Sequence, residues 1–293
     1  MICLALLAIA AGAAWHWNSA PLHMEAPAAA PAGYPDRWRP IFDNSVPLPE
    51  RLDLTRRIDS SLPLPAVAAW ASALNRYGSG THESENNPVI FNEIADQCRH
   101  RNLRPTALTA FLMQVVAAPG MLPVLRDYAA QHLSLWIVEP ENGQPGERNA
   151  QNRSAGLELL CRMVGDPTIR EQSLPGTILL ALGDLANRQP EVMASHWDEL
   201  DRSLAALIIS VDTPRSLRLS AIHTAATAGR AGHLAVIRHL VAAPPPDEAV
   251  LLAAVAALGR MGNMNDHALL EPIIQAGGIT GHGAAASLAR LKP

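Results

Sequence analysis

Ala225-Ala226-Thr227-Ala228-Gly229-Arg230-Ala231-Gly232 is matched thirty residues later by Val255-Ala256-Ala257-Leu258-Gly259-Arg260-Met261-Gly262. Each block closes one run of helically spaced apolar residues and opens a tight turn into another. Leu234, Ile237, Leu240 and Val241 follow the first block. Leu269, Leu270, Ile273 and Ile274 follow the second. Each block and its continuation read as a pair of helices joined by a short polar turn. One helix pair cannot bury its apolar face alone, so recurrence at this period predicts stacked pairs, a helical solenoid.

The same pattern extends upstream. Leu108, Phe111, Leu112, Val115 and Val116 make one helical stripe. Leu157, Leu160, Cys161 and Val164 make another. Leu200, Leu204, Leu207, Ile208 and Val211 make a third, and Leu251, Ala254, Val255 and Leu258 a fourth. Each spacing places the large side chains on one helix face. Sustained period-two alternation is missing, so no strands are expected. Pro65, Pro88, Pro105, Pro190, Pro214 and Pro246 stand where first helical turns are expected, because a first-turn N–H needs no partner. Asp166-Pro167-Thr168 and Asp212-Thr213-Pro214 read as caps. Gly165, Gly229 and Gly259 read as helix closures.

Arg215 to Ala242, and again Asp247 to Gly277, resemble HEAT-type repeats of the armadillo/HEAT superfamily. The resemblance lies in an Ala-rich first helix, a Leu-Gly or Ala-Gly end, a short polar turn and a Leu/Ile-rich second helix. Leu122 to Leu133 and Gly176 to Leu185 resemble first helices of the same kind. The likeness covers about residues 175–293, is looser over 88–174 and is absent before that. It implies an all-α solenoid of antiparallel helix pairs and carries no catalytic motif. Glu139 to Arg148 and Gly78 to Asn87 depart from it as long polar loops. Gly283 to Leu291 is expected to be a small capping half-repeat.

The amino terminus reads differently. Ile2 to Ala14 is an unbroken apolar and small-residue run ending in Trp15-His16-Trp17, with the length of a signal-peptide core. Residues 1–19 are therefore expected to be a signal peptide or a membrane anchor. No side-chain cation precedes Arg37, so a basic leading region is missing. Residues 20–48, rich in Ala and Pro, are expected to form a semi-rigid spacer. The helical domain is expected over 49–293.

Composition limits the function. The 293 residues carry 23 Lys and Arg against 27 Asp and Glu, a net charge of −4, which argues against a nucleic-acid binder. The chain is 48% hydrophobic and 17% charged, too apolar for general disorder. Its 3 cysteines are too few for a disulfide scaffold. Lys292 is the only lysine, a skew that suggests a GC-rich bacterial coding sequence.

Chemical motifs are sparse. His82-Glu83 is the only His-Glu pair, His233 and His239 do not share a helical face, and neither HExxH nor CxxC occurs. Cys98 stands beside Arg99, His100, Arg101 and Arg104, neighbours that activate a thiol. It also continues the stripe Ile90, Phe91, Ile94, which places the sulfur in the core and the cations in a last turn. Cys161 lies on a stripe as well, and whether it pairs with Cys98 stays open. Ser79 lacks the strand that a nucleophile elbow needs. Asp198, Glu199 and Asp201 around His196 and Trp197 could form a carbohydrate-active cluster; as plain helix chemistry they are a solvated face. Asn152-Arg153-Ser154 fits a glycosylation acceptor. No catalytic, cofactor or metal residue is expected, and no cofactor.

The expected function is a non-enzymatic scaffold or tether of the cell envelope. It would bind a protein partner through its helical surface and meet the membrane through the amino-terminal segment, with the helical domain outside the cytoplasm. One alternative is an exported α/α-toroid enzyme acting on polysaccharide, with Trp38, Trp70, Trp136 and Trp197 gathered in one cleft. Another is a structural accessory subunit of a membrane complex.

Overall fold

The computed structural model describes residues 35–74, 86–103, 105–138 and 147–291. The apolar amino-terminal segment, most of the Ala/Pro-rich stretch and most of both long polar loops lie outside these residues. Fourteen α-helices occur among the described residues, and no strand. They are α1 (Arg39–Phe42), α2 (Leu48–Thr55), α3 (Leu64–Leu74), α4 (Asn87–His100), α5 (Pro105–Ala117), α6 (Pro123–Val138) and α7 (Glu147–Gly165). There follow α8 (Leu174–Arg188), α9 (Trp197–Ile209), α10 (Arg215–Thr227), α11 (Leu234–Ala242), α12 (Glu248–Met261), α13 (His267–Ala276) and α14 (Gly278–Leu288). None of them is long and apolar enough to cross a membrane.

Packing follows one rule. The even-numbered helices from α2 to α14 contact one another in succession, each packing on the even helix before and after it. Odd-numbered helices α3, α5, α7 and α9 form a second chain of contacts, and α11 packs on α13. Every substantial helix–helix contact joins helices one or two positions apart in sequence. The expected first helices, Leu122 to Leu133 and Gly176 to Leu185, fall in α6 and α8, in the same succession as α10 and α12.

The stripes explain the layers. Leu108, Leu112, Val115 and Val116 of α5, and Leu157, Leu160, Cys161 and Val164 of α7, are all buried. So are Leu200, Leu204, Leu207 and Ile208 of α9. Val211 does not continue that stripe. It follows the end of α9 and is 82% exposed. Gly229 closes α10 with φ +64°, a conformation that favours glycine. Gly259 does not close α12, which runs on to Met261. Its role is close approach, since a Cβ there would lie 2.5 Å from Ser287 Cβ on α14. Asp166 caps the short 3₁₀ turn Pro167–Ile169, its carboxylate accepting from Thr168 N at 2.8 Å. Asp212 caps nothing; Pro214 stands at the start of α10. Pro190 lies in the turn between α8 and α9, outside any helix.

The packed region begins upstream of position 49. Trp38, Ile41 and Phe42 are buried, and Phe42 meets the Trp70 ring edge-on at 5.0 Å. These three large apolar residues interrupt the Ala/Pro composition, and their burial draws the segment onto α2 and α3.

One polar device recurs. Arg51 Nε donates to the Ile41 carbonyl at 2.8 Å, Arg126 Nε to that of Val116 at 3.0 Å, and Arg218 Nε to that of Ile208 at 2.9 Å. Each time the acceptor lies ten residues upstream, in the last turn of the preceding helix. Those carbonyls have no partner within their own helix. Arg51 also reaches Asn87 Oδ1 at 2.7 Å, and Arg126 reaches Gln172 Oε1 at 2.7 Å. Asn87 opens α4 and Gln172 precedes α8, so each of these two guanidiniums ties three segments together across an intervening helix. Burial pulls the pKa of both downward.

Candidate functional site

The residues singled out from sequence are mostly committed to structure. Cys98 and Cys161 are free, buried thiols, and burial pushes both up to about 12. A thiol in that state is not a nucleophile. Arg99, beside Cys98, is itself buried and bonds Asp96 at 2.8 Å.

Asp201 is not part of a solvated acidic face. Its carboxylate receives Arg230 Nε at 3.1 Å and His233 Nε2 at 2.9 Å, and the second Arg230 nitrogen bonds the other oxygen. Arg230 also stacks over Trp197, 4.0 Å from the ring centroid. Burial alone would raise the Asp201 pKa, but the hydrogen bonds from Arg230 and His233 hold it below the usual carboxylate range. The cluster pins the 228–233 turn onto α9. Asp198 is exposed and Glu199 half-buried. His233 is buried in this knot, whereas His239 is exposed on α11.

The tryptophans do not gather. Trp38 donates to Ser61 Oγ at 3.1 Å, Trp70 packs on Phe42, Trp136 on α6 donates to Thr109 Oγ1 at 2.9 Å, and Trp197 sits under Arg230. No group of three or more His, Cys, Asp or Glu residues suited to a metal occurs among the described residues. His82-Glu83 and Ser79 lie outside them. The Asn152-Arg153-Ser154 acceptor lies within α7.

The candidate binding site is a cleft of about 560 Å³ between α7 and α9. Its floor and walls are Arg162 to Gly165 at the end of α7, the Asp166–Arg170 connector, and α9 from Glu199 to Leu207. Gly165 brings the end of α7 close to α9, since a Cβ there would lie 3.2 Å from Ser203 Oγ. Three arginines line the cleft: Arg162, Arg170 and Arg202. None makes an ion pair among the described residues. Arg202 Nε donates to the Asp198 carbonyl at 3.0 Å, and Arg170 keeps a buried Nε with no hydrogen-bond partner. Of the two lining acids, Asp166 is held by Thr168, and it stays below the usual carboxylate range through those bonds, with Arg126 adding to the effect. Glu199 is the remaining acid.

Sequence reasoning missed these arginines, because they are scattered singly through a chain whose net charge is negative. The signal was their placement. Arg162 and Arg202 fall about one repeat length apart on consecutive odd-numbered helices, and Arg170 follows the Asp166 cap.

No family model matches the chain, and no curated protein matches it. Among solved structures, the crystal structure of an engineered protein is similar, with 15% identity over 82% of this chain and 95% of that one, at a TM-score of 0.47. A likeness at that level carries no functional argument.

Proposed function

We propose that this chain is a non-enzymatic, HEAT-like helical-repeat scaffold of the cell envelope that binds a protein partner through its helical surface. The observation that carries the reading is the locality of packing: among the described residues, substantial contacts reach no further than the second neighbour. Such an array presents a continuous surface of successive helices on which affinity spreads over many side chains. The recurring arginine bonds of Arg51, Arg126 and Arg218 support the same reading, because one device repeated along the chain is what stacked units require. An α/α toroid closes its last helices onto its first, and no substantial contact of that kind occurs among the described residues. The separation of the four tryptophans and the locked state of Asp201 also speak against a carbohydrate cleft. The envelope assignment rests on the apolar run Ile2 to Ala14.

The test is co-purification from native membranes, quantified against a chain lacking residues 1–19. A stoichiometric protein partner that survives salt washing is expected. Recovery of the chain alone, as a soluble monomer, would remove both the scaffold and accessory-subunit readings.

A further inference from the structure

We propose that the cleft between α7 and α9 receives an extended acidic segment of a partner protein, whose carboxylates are gripped by Arg162, Arg170 and Arg202. This deepens the scaffold reading and rests on it.

The charge balance points to an anionic ligand. Two half-buried arginines elsewhere have carboxylate partners, Arg230 with Asp201 and Arg238 with Asp266. Here the half-buried Arg170 and the exposed Arg162 and Arg202 line one depression from three segments, and none makes an ion pair among the described residues. Arg170 Nε makes no hydrogen bond among the described residues. A guanidinium presents a planar fork of donors that fits a carboxylate in two places at once. Asp166 is turned to Thr168. Asp166 and Glu199 are the two lining carboxylates that oppose an incoming anion, against three guanidiniums.

Size and lining point to a peptide. An open cleft of about 560 Å³ exceeds what one small anion fills. Pro167 and Ala206 supply exposed apolar wall between the arginines, with the buried Met163 and Leu207 behind them. An extended segment alternating acidic and apolar residues meets both demands. Its carboxylates take the guanidiniums, and its apolar side chains cover the wall.

The test uses the purified full-length chain in non-ionic detergent. The probes are a fluorescein-labelled peptide of alternating Glu and Leu, its Gln/Leu counterpart, and inorganic phosphate as competitor, read by fluorescence anisotropy. The Glu peptide is expected to bind, weakening as salt rises, and the Gln peptide to bind at least tenfold more weakly. The triple variant R162Q/R170Q/R202Q should lose the Glu peptide by tenfold or more. Arg188→Gln on α8, where Arg188 pairs with Asp184, should leave binding unchanged. Glu199→Gln should tighten it several-fold, a gain that misfolding cannot produce. Equal binding of both peptides, or full binding by the triple variant, would overturn the proposal. So would displacement by phosphate at low millimolar concentration, which would make the cleft a small-anion site. If the triple variant still recovers the membrane partner sought above, the scaffold reading stands and this cleft is not the docking point. If neither protein recovers a partner, the scaffold reading falls, and the peptide titration still decides what the cleft binds.

Discussion

Replacing Arg126 by Ala should destabilise the chain by about 2–4 kcal/mol, with the loss concentrated where α5, α6 and α8 meet. The side chain is 2% exposed and makes two hydrogen bonds, to Val116 O at 3.0 Å and Gln172 Oε1 at 2.7 Å. The Val116 carbonyl lies in the last turn of α5, and without the guanidinium it becomes a buried acceptor with no partner, which costs about 1–3 kcal/mol. Gln172 is half-buried and can turn to water, so its loss is about 1 kcal/mol or less. Truncating the packed stem adds about 1 kcal/mol. Relief from burying a charge returns part of the total. Urea unfolding measures the sum, and amide hydrogen exchange locates it. Protection should fall in α5, α6 and the start of α8 while α12 to α14 keep theirs, because substantial contacts pass between near neighbours. Arg126→Met, which keeps the stem and removes the donors, should recover less than half of the loss. Full recovery by Met, a total below about 1 kcal/mol, or an even loss of protection along the chain would refute the staple.

Further outcomes follow from the packing and the buried charges. Gly259→Ala drives a Cβ to within 2.6 Å of the Ser287 backbone and should cost about 1–3 kcal/mol in urea unfolding, whereas Gly120→Ala, with nothing within 4 Å, should be close to neutral. Asp266 is buried, which raises its pKa, but Arg238 at 2.6 and 3.0 Å and the Asn263 N–H at 2.9 Å outweigh that and hold it low. Its contribution is therefore present above the unfolded value near 3.8 and lost as pH falls through the lower folded value, so Asp266→Asn should destabilise by about 1–2 kcal/mol at pH 7, a gap that closes on acidification. His132 is shifted from 6.5 to about 4, by burial first and by Arg99 second. The unfolded chain then binds the extra proton between those values, so acidification from pH 7 to 4 should cost up to about 3 kcal/mol through this group, and His132→Gln should flatten that slope in urea titrations. Cys98 and Cys161 should resist a thiol reagent at pH 8 in the native state and react in denaturant, as read by peptide mass spectrometry; native labelling of either would contradict their burial.

The helix class and the layers were readable from apolar spacing, because burial of one face imposes that spacing directly. The paired blocks at 225–232 and 255–262 marked the turns for the same reason. Gly259 misled because the motif looks alike whether glycine ends a helix or lets a neighbour approach, and only the position of Ser287 separates the two. Val211 misled because periodicity carries no mark of where a helix stops. The Trp38–Phe42 segment was hidden by the prolines around it. The arginine staples join residues ten apart to backbone carbonyls, which have no sequence signature. The cleft was illegible for a related reason: its charge comes from three segments brought together only by the packing of α7 on α9. Asp201 read as a surface acid because its partners, Arg230 and His233, lie a whole helix away.

The restriction of substantial contacts to first and second neighbours among the described residues has a mechanical consequence. A pull applied between the two ends is carried by each helix junction in turn, as by springs in series. Small yields at every junction add up, so the whole lengthens readily while each junction strains little. Stretching in a force spectrometer should release the chain in steps of about one helix pair, where a closed globule would give way at once. A partner bound across several helices would bridge those junctions and stiffen them, so occupancy and tension would oppose each other.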